Sequence, residues 1–150
     1  MRSESAMELV FRNLAAADLP RRGLSPESAP VYVLLLDIEA DLTISDTGQV
    51  VWAEKLFPVA ELACELMDWL RTPDGERGDF AFDSMTYDEP GAVLITRSEQ
   101  GWQVGSVFAA DTWTSPMAWD RLVTDLVQFV DEVRHGVAAI GINPDFIPEP

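Results

Sequence analysis

One cysteine and one histidine occur in 150 residues, and ten basic side chains face twenty-six acidic ones. Cys64 alone allows neither an internal disulfide nor a cysteine-built zinc cluster. His135 has no second histidine beside it, so it is a poor metal ligand. It has no recognisable Ser or Cys partner either, so it is a poor catalytic base, and a structural role is the reading for it. Nowhere do about 18 apolar residues run together, the length a membrane-spanning helix needs. Residues 1–20 lack the basic-then-apolar layout of a signal peptide, and no hydrophobic region follows Arg21-Arg22. These features predict a cytoplasmic chain. Glycine-rich phosphate loops, a Rossmann fingerprint, an EF-hand loop and a Gly-x-Ser-x-Gly elbow are all missing. The reading therefore leans away from an enzyme and assigns no catalytic residue, no metal and no cofactor.

What is present is apolar and acidic. Hydrophobic residues make up 47% of the chain, with five Trp and seven Phe, enough for a self-sufficient core. Length predicts one domain over 1–150, with 1–6 and 143–150 as tails; Met7 is an alternative start to Met1. The formal charge of −16 repels nucleic acid and anionic membranes and speeds encounter with basic partners. A basic protein is thus the expected partner, with neither nucleic acid nor membrane. An acidic surface that serves solubility alone is the competing reading.

Periodicity predicts an α+β fold, a mostly antiparallel sheet in βββα-βββα order with two amphipathic helices on one face. Met7 to Asn13 reads as a first strand, and Ala15 to Pro30 as a connection. The second strand is expected from about Val31 to Ser45, because Leu34, Leu36, Ile38, Ala40, Leu42 and Ile44 alternate with Leu35, Asp37, Glu39, Asp41 and Thr43. Asp46-Thr47-Gly48 predicts a hairpin to Gln49–Phe57, with Ser45 opposite Gln49 and Glu39 opposite Lys55. Pro58 opens a helix with Val59, Leu62, Ala63, Leu66, Trp69 and Leu70 inward and Glu61, Glu65 and Asp68 outward. Further strands are expected at Asp79–Thr86, Ala92–Arg97 and Trp102–Ala109. Ser115-Pro116 then caps a last helix that buries Trp119, Leu122, Val123, Leu126, Phe129, Val130 and Val133.

On this layout Asp37, Glu39 and Asp41 project from the open sheet face, about 7 Å from neighbour to neighbour by strand rise. Parallel strand side chains do not converge as calcium or magnesium ligands must, so a binding face for a basic partner outranks a metal site. Trp113 lies outside any periodic stripe and joins them as a candidate interface residue. Ser84 and Ser106 read as ordinary strand serines, and Cys64 as a helix residue at the core edge.

Phe80-Ala81-Phe82-Asp83-Ser84, Glu89-Pro90-Gly91, Gly101-Trp102 and Gly105-Ser106-Val107-Phe108, closed by a helix, resemble a group of small uncharacterised actinobacterial proteins. The layout is also similar to single-domain immunity proteins of bacterial polymorphic toxin systems. The resemblance spans roughly residues 31–135 and implies an acidic cytosolic α+β domain that occludes a toxin; it carries over no functional residue. A second hypothesis is a small-molecule-binding or enzymatic pocket between sheet and helices, lined by Trp69, Trp102, Trp119 and Phe129, with Asp83, Ser84 or Glu89 as polar groups. A DNA mimic is a third.

Overall fold

The computed structural model describes residues 7–150; the N-terminal tail expected at 1–6 lies outside them. The elements in order are β1 (Met7–Ala15), α1 (Val31–Asp37), β2 (Glu39–Asp46), β3 (Gln49–Phe57), α2 (Val59–Arg71), β4 (Phe80–Ala81), β5 (Leu94–Ser98), β6 (Gly101–Gly105) and α3 (Trp119–Ala139). The class is α+β, and three strands and a helix follow one another twice, with α1 added inside the first set. The strands form two antiparallel sheets, β1-β2-β3 and β4-β5-β6. The long helices pack on each other, α3 also against β1 and α2 also against β2. No helix among the described residues is long and apolar enough to cross a membrane.

Residues 31–37 are a correction: they are helical, not the first half of a strand. Pro30 stands as N-cap in extended geometry, and the Val33 and Leu34 amides both donate to its carbonyl. Val33, Leu34 and Asp37 fall on one face at helical spacing and are buried, while Val31 and Tyr32 face outward. The strand begins at Glu39. From there the alternation holds, with Ala40, Leu42 and Ile44 buried.

The hairpin register also differs from expectation. Thr47 and Gly48 both take positive φ, 54° and 79°, the signature of a two-residue type I′ turn. Asp46 therefore faces Gln49, and Ser45 faces Val50. Two irregularities shift the ladder further, so that Ile44 meets Trp52, Leu42 meets Glu54 and Ala40 meets Phe57. Glu39 lies opposite Ala15 of β1, not Lys55.

Helix α2 buries Val59, Leu62, Ala63, Leu66 and Trp69 as its stripe predicts, but Glu61 is buried with them. Helix α3 starts at Trp119 and not at Ser115-Pro116. Met117 and Trp102 exchange backbone hydrogen bonds at 2.8 and 2.9 Å, so the 113–117 segment runs along β6 as an extended bridge. Residues 143–150, expected as a tail, pack on the body. Ile147 is fully buried, and its carbonyl accepts Arg134 Nε at 3.0 Å.

Candidate functional site

The three predicted carboxylates do not share a face. Asp37 ends α1, is 3% exposed, and accepts Arg22 Nε at 2.7 Å and Nη2 at 3.0 Å in a forked pair. It is a structural ion, because a buried carboxylate needs such a partner. The pair also raises the Arg22 pKa, first through the hydrogen bond to Asp37. Asp41 does remain on the outer face of β2, opposite Arg12, and accepts Asn13 Nδ2 at 2.9 Å. Its other oxygen lies 3.4 Å from the Leu56 amide, at the irregularity where β3 departs from β2. Leu56 there takes φ +54°, a left-handed conformation rare for leucine, and is exposed. Glu39 is half-buried, and burial, then the charges of Asp18 and Asp37, raise its pKa. Trp113 is half-buried: its Nε1 donates to the Ala110 carbonyl, and its ring lies so close over Gly105 that a Cβ there would meet Cε3 at 2.7 Å.

A different group forms a partly open aromatic surface, and sequence reasoning missed it. Trp52, Phe57, Tyr87 and Phe108 close a cycle of ring contacts. Centroids are 5.8 Å apart for Trp52–Phe57, 5.9 Å for Phe57–Tyr87, 5.7 Å for Tyr87–Phe108 and 5.8 Å for Phe108–Trp52, the last pair stacked. Phe57 is the buried floor, Trp52 and Tyr87 are half-buried, and Phe108 is 56% exposed. Each ring is delivered by local structure. Trp52 and Phe57 come from the outermost strand of the first sheet. Phe108 sits in the short 3-10 turn Val107–Ala109, capped by buried Ser106, whose Oγ accepts the Phe108 amide at 3.1 Å. Tyr87 rides on the 82–91 loop and points its hydroxyl at Glu54, 3.4 Å away. Burial, then the Glu54 charge, pushes the Tyr87 phenol up to about 12. Met85, on the same loop, is exposed, and so is Val107, whose amide donates to Gly91.

Helix α2 holds that loop in place. Ser84 Oγ donates to Glu61 Oε1 at 2.6 Å, the Met85 amide reaches Glu61 Oε2 at 3.2 Å, and the Asp83 amide reaches Glu65 Oε1 at 3.1 Å. Ser84 is thus a buried loop anchor beyond β4, not a strand serine. Burial first, then the nearby charges of Glu61, Asp83 and Asp68, raises Glu65 to about 7, against the lowering effect of the Asp83 amide. Neighbouring Cys64 is half-buried with its thiol pushed up to about 12, chiefly by burial, which disfavours the thiolate.

The residues proposed for a pocket are dispersed. Trp69, Trp102 and Trp119 pack on one another at 5.1–5.6 Å, filling the space between them. The Arg77 guanidinium lies over Trp69 and, 4.2 Å from its ring centre, Trp119, and Arg97 lies over Trp102. Phe129 lies elsewhere, edge-on to Phe11. It borders a cleft of about 240 Å³ with Met7, Leu9, Arg121 and Glu132. Asp83 and Glu89 are exposed on the loop. No group of three or more His, Cys, Asp or Glu among the described residues is placed to hold a metal ion.

A family described as a domain of unknown function, DUF7878, matches residues 23–139. No curated protein and no solved structure matches.

Proposed function

The chain belongs to the DUF7878 family, and we propose, from its own surface and charge, that it is a non-enzymatic acidic binding protein that acts in the cytoplasm and occludes a basic protein partner. The immunity proteins of polymorphic toxin systems, in actinobacteria among other bacteria, are the comparison that fits this role. The observation that carries the reading is an exposed aromatic surface beside Glu54, a carboxylate with no salt bridge among the described residues, on a chain of charge −16. Exposed aromatics supply contact energy at interfaces, and a complementary field supplies association rate and selectivity. The outer face of β2 is the weaker half of the surface, because Arg12 and Asn13 offset Asp41.

The test is capture from the native host at low salt, followed by rebinding of the purified partner. A basic protein whose association rate falls steeply between 50 and 300 mM salt, roughly the range over which screening takes hold, is the expected result. Charge reversal at Glu39 and Glu54 slows association at least about tenfold on the same reasoning. A partner that is neutral or acidic, or whose binding ignores both salt and charge reversal, overturns the reading.

A further inference from the structure

We infer that the open aromatic edge formed by Trp52, Tyr87 and Phe108 receives an arginine side chain presented by a protein partner. The inference deepens the binding function proposed above and rests on it.

The fold contains two aromatic clusters, and their difference carries the argument. In the first, Trp69, Trp102 and Trp119 are covered by the chain's own cations, Arg77 over Trp69 and Trp119 and Arg97 over Trp102, and Arg77 makes the closest approach. The Arg77 side chain is only 8% exposed and pairs with the carboxylate of Asp74, while Nη1 donates to the Thr72 carbonyl at 2.7 Å. Rings, guanidinium and acceptors together make a closed unit. The second cluster has rings and a carboxylate but, among the described residues, no cation over them. Phe108 is 56% exposed, and half-buried Glu54 accepts the Tyr87 hydroxyl at 3.4 Å.

An arginine suits these rings and the Glu54 carboxylate by its chemistry. Its methylene stem lies along apolar surface while its planar head stacks on a ring or forks onto a carboxylate. The spacing of 5.7 Å between Phe108 and Tyr87 lets the stem cross one ring and the head reach the next, beside Glu54. A purely apolar occupant would strip water from Glu54 and give nothing back. A second copy of this chain would bring a charge of −16 against −16. A lysine satisfies the charge but not the stacking or the fork.

The probe is a short peptide, Gly-Arg-Gly-Leu-Arg-Gly, compared with the same peptide carrying lysine and with its neutral citrulline form. Binding is read from the ring-proton NMR shifts of Phe108, Tyr87 and Trp52. The arginine peptide is expected to bind at least about threefold more tightly than the lysine peptide, and the citrulline peptide to move none of these signals. Phe108→Ala and Glu54→Gln, each checked for an unchanged melting temperature, are each expected to weaken it by at least about threefold. Binding that survives both variants places the basic contact elsewhere, overturning this site while leaving the basic-partner reading standing. Equal binding of citrulline and arginine, or no ring shifts with any peptide, overturns the arginine assignment. Self-association abolished by Phe108→Ala makes a second copy the occupant and overturns it too.

Discussion

Asp37 illustrates how a single side chain changes meaning with its element. In a strand it would sit two residues from Glu39 on the same face; at the end of α1 it turns inward to Arg22. The residues that form this pair were all visible in the sequence, including the Arg21-Arg22 spot, but nothing local joins positions 22 and 37. The expected consequence is an ordering of variants. Arg22→Ala leaves a buried carboxylate without its partner and lowers the urea midpoint more than the double change Arg22→Ala with Asp37→Leu, which removes the orphaned charge. Equal midpoints for the single and double variants would show that the carboxylate finds water or another donor, and that the pair is not what holds α1 down. Trp113 teaches the same lesson: its place outside any stripe was legible, but the glycine beneath it that lets the ring sit flat was not.

At the level of elements, the strongly periodic segments were readable and the short apolar run was not. Both long helices have several turns of unbroken stripe, whereas Val31 to Leu36 is a run that strand and helix accommodate equally. The distinguishing signal is burial at Val33, Leu34 and Asp37, which depends on tertiary packing. The buried edge of α2 was hidden for a similar reason: Glu61 and Glu65 look solvated by period, and become loop anchors only because residues 82–86 pass beside them. That contact has a pH signature. Glu65 titrates near 7 in the folded chain, above an ordinary unfolded glutamate at about 4.3, so the folded state holds its proton more tightly. The resulting stability is complete below the unfolded value and is lost as pH rises through 7. The groups facing it are Glu61, Asp68 and Asp83, with the Asp83 amide as donor. Urea midpoints of the native chain are expected to fall between about pH 4.3 and 7 by more than those of Glu65→Gln, a window set by the interval between those two pKa values. Parallel pH curves for the two proteins would remove Glu65 as the titrating anchor.

Across the whole molecule, the α+β class and strand order follow from periodicity, but the division into two sheets does not. Every hairpin looks alike in sequence, and the break comes where α2 separates β3 from β4. The aromatic cycle is a product of that division. Trp52 and Phe57 belong to one sheet, Tyr87 and Phe108 to connections of the other, and no window of sequence contains all four. Charge, by contrast, was fully legible, and the structure adds how it is distributed. Arg21 pairs with Asp18, Arg22 with Asp37, Arg77 with Asp74, Arg121 with Asp125, and Arg134 with Asp145 and Glu149. Among the described residues these pairs take up five arginines, and with 26 acidic against 10 basic side chains in the chain a large surplus of carboxylates repels across the surface. Two effects of salt then compete. Screening weakens the exposed pairs, each contributing about 1 kcal/mol or less, and it weakens the many longer-range repulsions of a chain at −16. The repulsions outnumber the pairs, and the forked Arg22–Asp37 contact is shielded on its buried side. The melting temperature is therefore expected to rise from low salt to roughly 0.3 M sodium chloride, by which point the Debye length is well under 10 Å. A fall over that range would mean that the ion pairs outweigh the surplus. The same experiment bears on function, since a surface whose own repulsion is relieved by sodium is one that a basic partner relieves more effectively.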